Sequence, residues 1–323
     1  MNILVTGGLG LIGHNVVKRL QDQGHTVSII DNKTDYGIIP QSEIDYLMAE
    51  RQKKIGDTSS QYVTDITYAK EIDNIFRIEE PEIVIHMASF PRQKVVNSNP
   101  ALGSRTMSEG LLNLLEASDK YEVRKFVYLS SSMVYGDFVD DVKEYAPCNP
   151  IGQYGIMKLA GEWLVKDYSR RTNLVHTIIR PSAVYGPLDV EDRVISKFLL
   201  TAMRGNVLKV NGENETLDFT YVDDVADGIV AAALSDNTEN KTYNITKSHS
   251  VTLLKAAQMS LELVGGGLLE VCPKDSDYPS RGSLNIDAAR QDFGFSPKTD
   301  VAEGFKIYHE WLKNSEYYAK DNR

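Results

Sequence analysis

"TGGLGLIG", Thr6 to Gly13, follows the apolar run Asn2 to Val5 and leads into an amphipathic stretch, Leu11 to Gln23. A strand, a tight glycine turn and a helix are therefore expected in that order. Gly7, Gly10 and Gly13 suit a turn whose backbone approaches a pyrophosphate closely and whose helix packs tightly on its sheet, with the N–H groups of Leu11 and Ile12 facing the phosphates. The next apolar run, "TVSIID", ends in Asp31, 18 residues beyond Gly13, where a carboxylate can accept hydrogen bonds from adenosine ribose hydroxyls. Asn32 follows it at the same edge. An acid there repels a ribose 2'-phosphate and favours NAD over NADP, while Lys33 leaves NADP open.

Further apolar runs, "EIVIHMA", "KFVYLSS" and "VHTIIRP", recur through residues 1–180 and alternate with helical patterns. That alternation predicts an α/β fold, a doubly wound parallel Rossmann sheet. Residues 32–61 are long and polar, and are read as an insertion at the sheet edge with a helix near Ser42 to Lys54. Beyond Arg180 the alternation loosens. Residues 181–323 are expected to form mainly a smaller, interleaved substrate-binding lobe, with 221–247 returning to the dinucleotide-binding domain.

The 323 residues are 42% hydrophobic and 25% charged, a globular composition, and the net charge of −10 argues against nucleic-acid or anionic-membrane surfaces. A small-molecule partner is expected. Two cysteines without a CxxC pair give neither a disulfide framework nor a metal site. No signal peptide or membrane span is expected from the sequence, and a reducing cytoplasm fits.

Proton chemistry is sought among three Tyr/Lys pairs spaced four apart: Tyr121/Lys125, Tyr154/Lys158 and Tyr243/Lys247. Only Tyr154 and Lys158 fall on an expected helix, Gln153 to Arg171, where such residues share a face. A phenol titrates near ~10, so acid–base work at neutral pH needs a neighbouring cation. One ammonium about 4 Å away, at an effective dielectric of ~20, supplies a shift of the right order. Ser130 and Ser131 end the preceding strand and can meet the tyrosine outside the carboxyl edge of a parallel sheet.

Together "TGGLGLIG", Asp65-Ile66, "HMAS" (86–89), "LSSSMVYG" (129–136), "YGIMK", "RPSAVYGP" (180–187) and "LDFTYVDDVA" (217–226) resemble the extended short-chain dehydrogenase/reductases, in their branch of NAD-dependent nucleotide-sugar epimerases and dehydratases. The resemblance spans nearly the whole chain. It implies Tyr154 as catalytic acid/base, Lys158 as the residue that lowers its pKa and holds the nicotinamide ribose, and Ser131 as hydrogen-bond partner of the reacting hydroxyl. It further implies Asp65 and Ile66 at the adenine, with Met87, Ala88, Ser89 and Pro181 beside the cofactor. A homodimer through helices near Leu102 to Ser118 and Gln153 to Arg171 is implied as well.

Departures from the family pattern narrow the chemistry. Ser132 and Met133 stand where the 4,6-dehydratases carry an acid and a base for elimination, and Met133 also replaces the cysteine of the epimerase/reductases. Ala183 and Leu217 replace an Asn and a diphosphate-binding Arg, and Met107 replaces a helix Asn. With Ser131, Ser132 and Ala183 at the sugar, Arg193 or Arg281 is left to neutralise a diphosphate; a solvated surface position is the alternative for each. Asp223 and Asp224 are read as first-turn helix acids. The expected activity is a nucleotide-sugar 4-epimerase working through a 4-keto sugar. The alternatives are a 4-dehydrogenase or ketoreductase, and a non-catalytic dinucleotide-binding regulator.

Overall fold

The structure is a computed structural model that describes residues 1–34, 37, 39–57 and 59–319. Its centre is a seven-stranded sheet of β1 (Asn2–Thr6), β2 (Thr26–Asp31), β3 (Ser60–Val63), β4 (Ile83–His86), β5 (Lys125–Leu129), β6 (Val175–Pro181) and, after four short strands, β11 (Lys241–Ile245). The four are β7 (Val184–Tyr185), β8 (Leu208–Asn211), β9 (Thr216–Asp218) and β10 (Thr220–Tyr221); β12 (Ser250–Thr252) and β13 (Leu269–Cys272) follow. In the order β11-β6-β5-β4-β1-β2-β3 every pairing is parallel.

Alternation along β1 explains why both faces are covered. Ile3 and Val5 point into one apolar cluster with Val16, Val17 and Leu20 of α1 (Leu11–Asp22), while Leu4 points into another with Ile72, Phe76, Leu111 and Val165. The helices of the second face are α3 (Ala69–Glu79), α6 (Leu111–Lys120) and α7 (Gln153–Arg171); α2 (Gln41–Ile55) precedes them in the chain, and α4 (Gln93–Ser98) and α5 (Pro100–Ser104) lie between α3 and α6. After β6 come α8 (Val194–Met203), α9 (Val222–Leu234), α10 (Leu253–Leu263), α11 (Asp287–Phe293) and α12 (Val301–Asn314). A third cluster joins α8, α10 and α12 through Leu199, Ala256, Phe305 and Leu312. Residues 222–234 contribute Val225 and Ile229 to the first cluster instead, and β11 pairs with β6.

The segment 32–61 carries the expected helix, α2, and leads from β2 into the edge strand β3; α2 also buries Leu47 in the third cluster. Apolar burial of that one side chain, with Glu43 and Arg51 also covered, ties the segment to the C-terminal lobe.

Candidate functional site

Strand order reverses beside β1: β2 and β3 lie on one side of it and β4 on the other. A crevice opens at the carboxyl ends of strands at such a point. Here it is a cavity of about 890 Å³ that runs from Gly7, Gly10, Leu11, Ile12 and Gly13 past Ser131 and Tyr154 to Thr216 and Arg281.

The glycine turn has the shape anticipated for a phosphate cradle. Gly7 sits at φ +71, and a Cβ there would lie 2.8 Å from the Ala88 nitrogen; a Cβ on Gly13 would lie 2.0 Å from the Gly7 carbonyl oxygen. Neither position accepts a side chain without moving backbone. Asp31 holds the turn, accepting from the Leu9 N–H at 2.9 Å through one oxygen and from the Lys33 N–H at 2.8 Å through the other. The wall opposite is held by Thr6, whose hydroxyl oxygen accepts from the Ala88 N–H at 3.2 Å and meets His86 Nδ1 at 2.7 Å. Burial holds His86 near pKa 3, so this imidazole is neutral and shares a hydrogen bond with the threonine hydroxyl.

Gly7, Gly10 to Gly13, Asp31, Asn32, Ile66, Met87, Ala88, Ser89, Tyr154, Lys158 and Pro181 all line the cavity, as do Ser132, Ala183, Arg193 and Arg281. Asp65 stands behind the lining. Its carboxylate accepts from Thr67 and from Asn32 Nδ2 at 2.9 Å, which secures the loop that carries Asn32.

Helix α7 brings Tyr154 and Lys158 to the crevice because Gly161 lets it approach β5: a Cβ there would fall 2.1 Å from the Tyr128 hydroxyl oxygen. Lys158 is buried, donates to the Leu129 carbonyl at 2.7 Å, and lies 5.9 Å from the Tyr154 ring centroid and 5.3 Å from that of Tyr128. Burial pulls its ammonium down to about pKa 7, against the opposing pull of Glu162. Ser131 caps the turn Ser132–Tyr135 by accepting from the Met133 N–H, and it lines the cavity together with Tyr154. The phenol itself departs from the expectation of a lowered pKa. Burial raises it, and the charge that opposes this is Arg193, with Ser131 assisting. The other two Tyr/Lys pairs are structural: Lys125 donates to the carbonyls of Ala232 and Ser235, and Tyr243 donates to Asp292.

Sequence reasoning missed several residues of this site. Glu162 is fully buried under Ser130 and Lys158, accepting from Ser130 Oγ at 2.6 Å and from Arg180 Nε and Nη2 at 2.8 and 2.6 Å. Its spacing of i+8 from Tyr154 on one helix face was the available signal. Arg51 is buried, donating to the carbonyls of Leu9 at 3.0 Å and Leu188 at 2.6 Å. Arg92, Lys94, Lys274 and Tyr278 also line the cavity, and Gln93 Oε1 accepts from the Tyr154 N–H at 3.0 Å. Arg281 keeps a buried Nε without a hydrogen-bond partner among the described residues. Ala183, at φ +37, occupies a left-handed conformation that asparagine tolerates better than alanine. Asp223 and Asp224 do lie in the first turn of α9; Asp223 binds Arg19, and Asp224 accepts from the N–H groups of Lys298 and Thr299.

Residues 3–246 match the NAD dependent epimerase/dehydratase family. The chain belongs to that family. It is 30% identical to a putative UDP-glucose 4-epimerase of Methanocaldococcus jannaschii over 97% of this chain and 99% of that one. Among solved structures, UDP-glucose 4-epimerase of Thermotoga maritima with UDP-glucose superposes with a TM-score of 0.86 at 28% identity, covering 97% of this chain and 99% of that one. The Thermus thermophilus UDP-glucose 4-epimerase in complex with NAD gives 0.85 at 25%, covering 96% and 98%. The protein is thus an NAD-dependent enzyme of the extended short-chain dehydrogenase/reductase type. The close backbone approach at Gly7 and Gly13 leaves room for a pyrophosphate, and Asp31 lines the same cavity. Among the described residues no helix is long and apolar enough to cross a membrane.

Proposed function

We propose that this family member is a nucleotide-sugar 4-epimerase that passes through a transient 4-keto sugar. The observation that carries the reading is Tyr154 and Ser131 lining one switch-point crevice, with Ser132 and Met133 following where an elimination would need an acid and a base. Homology to UDP-glucose epimerases supports the substrate class. When bound, NAD would accept a hydride from the sugar carbinol and return it to the ketone.

The chain's own residues do the rest. Gly7 to Gly13 and Asp31 hold the dinucleotide, with Asn32, Asp65, Ile66, Met87, Ala88, Ser89 and Pro181 around it. Tyr154 takes the proton of the sugar hydroxyl as the alcohol is oxidised and returns it on reduction. Ser131 orients that hydroxyl by hydrogen bonding, and Lys158 holds the nicotinamide ribose and favours the phenolate through its charge. Arg193 lies close enough to stabilise the phenolate as well. Arg281, with its unpartnered Nε, suits the diphosphate and replaces the cation missing at Leu217. The lobe formed largely by residues 181–323 supplies these substrate contacts. Dimerisation is part of the same reading, since Leu102, Ile156 and Trp163 are 44%, 52% and 65% exposed on the helices involved.

Tyr154→Phe tests the reading. It should lower epimer formation by about 10²-fold or more while the protein still co-purifies with NAD. Stoichiometric accumulation of reduced cofactor by the unaltered enzyme, without epimer, would instead mark a dehydrogenase.

A further inference from the structure

Helix α2 carries two buried charged side chains, Glu43 and Arg51, about two turns apart. They grip one short segment, Leu188 to Glu191, from its two ends. Arg51 Nη2 donates to the Leu188 carbonyl at 2.6 Å, and the Glu191 N–H donates to Glu43 Oε1 at 2.6 Å. The other arm of the guanidinium, Nη1, donates to the Leu9 carbonyl in the glycine turn at 3.0 Å. One side chain therefore spans the dinucleotide turn and the segment from which Asp189, Val190, Asp192 and Arg193 line the cavity. The acids that offset the cost of burying this cation, Asp189 first and then Asp31, belong to the same two regions. Leu188 needs such a hold, since it stands at φ +69, a left-handed conformation that leucine rarely adopts.

We propose that Arg51 is a positioning residue for hydride transfer, setting the segment that bounds the substrate against the turn that holds the dinucleotide, while Glu43 fixes the other end of that segment. The proposal rests on the nucleotide-sugar reading above. Neither side chain is needed at the reacting atoms; each acts through the backbone it holds. Oxidation of a carbinol requires its carbon within about 3 to 3.5 Å of the hydride acceptor, and a misplacement of about 1 Å can cost about a hundredfold in rate. Two ligands seated on separate segments keep that distance only if the segments are fixed to each other. The two carbonyl bonds of Arg51 do this directly, and a planar guanidinium suits the task because its fork presents both donors in one fixed geometry.

The test is turnover of UDP-glucose by the full-length enzyme, expressed per folded, NAD-loaded site, for Arg51→Met, Glu43→Ala and a control, Tyr318→Phe, with UDP affinity measured by calorimetry on the same NAD-loaded proteins. Tyr318 donates to the Glu43 oxygen that also accepts from Glu191, so the control loosens α2 without releasing the segment. Arg51→Met and Glu43→Ala should each lower kcat per site by about tenfold or more, with UDP affinity changed by less than about threefold and Tyr318→Phe close to the unaltered rate. A merely structural role would reduce the number of folded sites and leave turnover per site intact; that result overturns the proposal. So does an equal loss of turnover in Tyr318→Phe, which would trace the effect to a general loosening of α2. If Arg51→Met does not fold, Glu43→Ala decides. If the unaltered enzyme neither binds UDP nor turns over UDP-glucose, the nucleotide-sugar reading fails before any variant is compared, and this inference falls with it.

Discussion

Replacing Lys158 by methionine should stabilise the cofactor-stripped protein while abolishing its activity, and the gain should depend on pH in a defined direction. Burial moves the Lys158 ammonium from an ordinary 10.5 to about 7. That displacement corresponds to about 4 to 5 kcal/mol of opposition to the charged form. Below pH 7 the lysine is protonated in both the folded and the unfolded chain, so the whole penalty weighs on the folded state. Between 7 and 10.5 the unfolded chain binds the extra proton, and stability rises with pH until the penalty has gone. Methionine carries no charge at any pH. Its advantage over lysine should therefore be largest near pH 6 and fall by several kcal/mol by pH 10, apart from a pH-independent loss of about 1 to 3 kcal/mol for the stranded Leu129 carbonyl. Urea denaturation of both proteins at pH 6, 8 and 10, stripped of dinucleotide, reads this directly as the difference between their unfolding free energies. A difference that stays flat across that range would refute the reasoning, because it would mean that Lys158 is solvated or fully neutralised by Glu162.

Three other perturbations follow from the same geometry. Glu162→Gln leaves the buried Arg180 guanidinium without its countercharge and should cost about 3 to 5 kcal/mol in denaturant unfolding. Gly13→Ala places a Cβ 2.0 Å from the Gly7 carbonyl oxygen and should weaken NAD binding by at least about tenfold in calorimetry, because the turn must shift out of register with the helix. Ala183→Gly removes the penalty of a left-handed alanine, about 1 to 2 kcal/mol, less roughly 0.5 to 1 kcal/mol for the looser unfolded chain; a small rise in melting temperature is expected.

What could be read from the chain, and what could not, divides along a physical line. Strands buried on both faces announce themselves as apolar runs, and five of the seven in the central sheet did so within the first 180 residues. β3 did not, because Ser60–Val63 lies at the edge of the sheet, is half-exposed and needs no apolar run. The glycine turn was legible because its backbone geometry excludes every other residue type at Gly7 and Gly13. Polar burial has no such signature. Glu43 and Arg51 lie in a segment whose sequence is merely polar, yet Glu43 accepts from Tyr318, 275 residues away, and Arg51 bridges the carbonyls of Leu9 and Leu188. The same limit governs the phenol. Spacing on one helix turn shows that Lys158 shares a face with Tyr154, but burial depth and the approach of Arg193 from another part of the chain decide the direction of its pKa. Since Arg51 also ties the glycine turn to the segment that presents Asp189 and Arg193, dinucleotide binding and the electrostatics at Tyr154 are properties of one connected structure. Local spacing can identify the members of such a network; only the long-range hydrogen bonds determine how they act on one another.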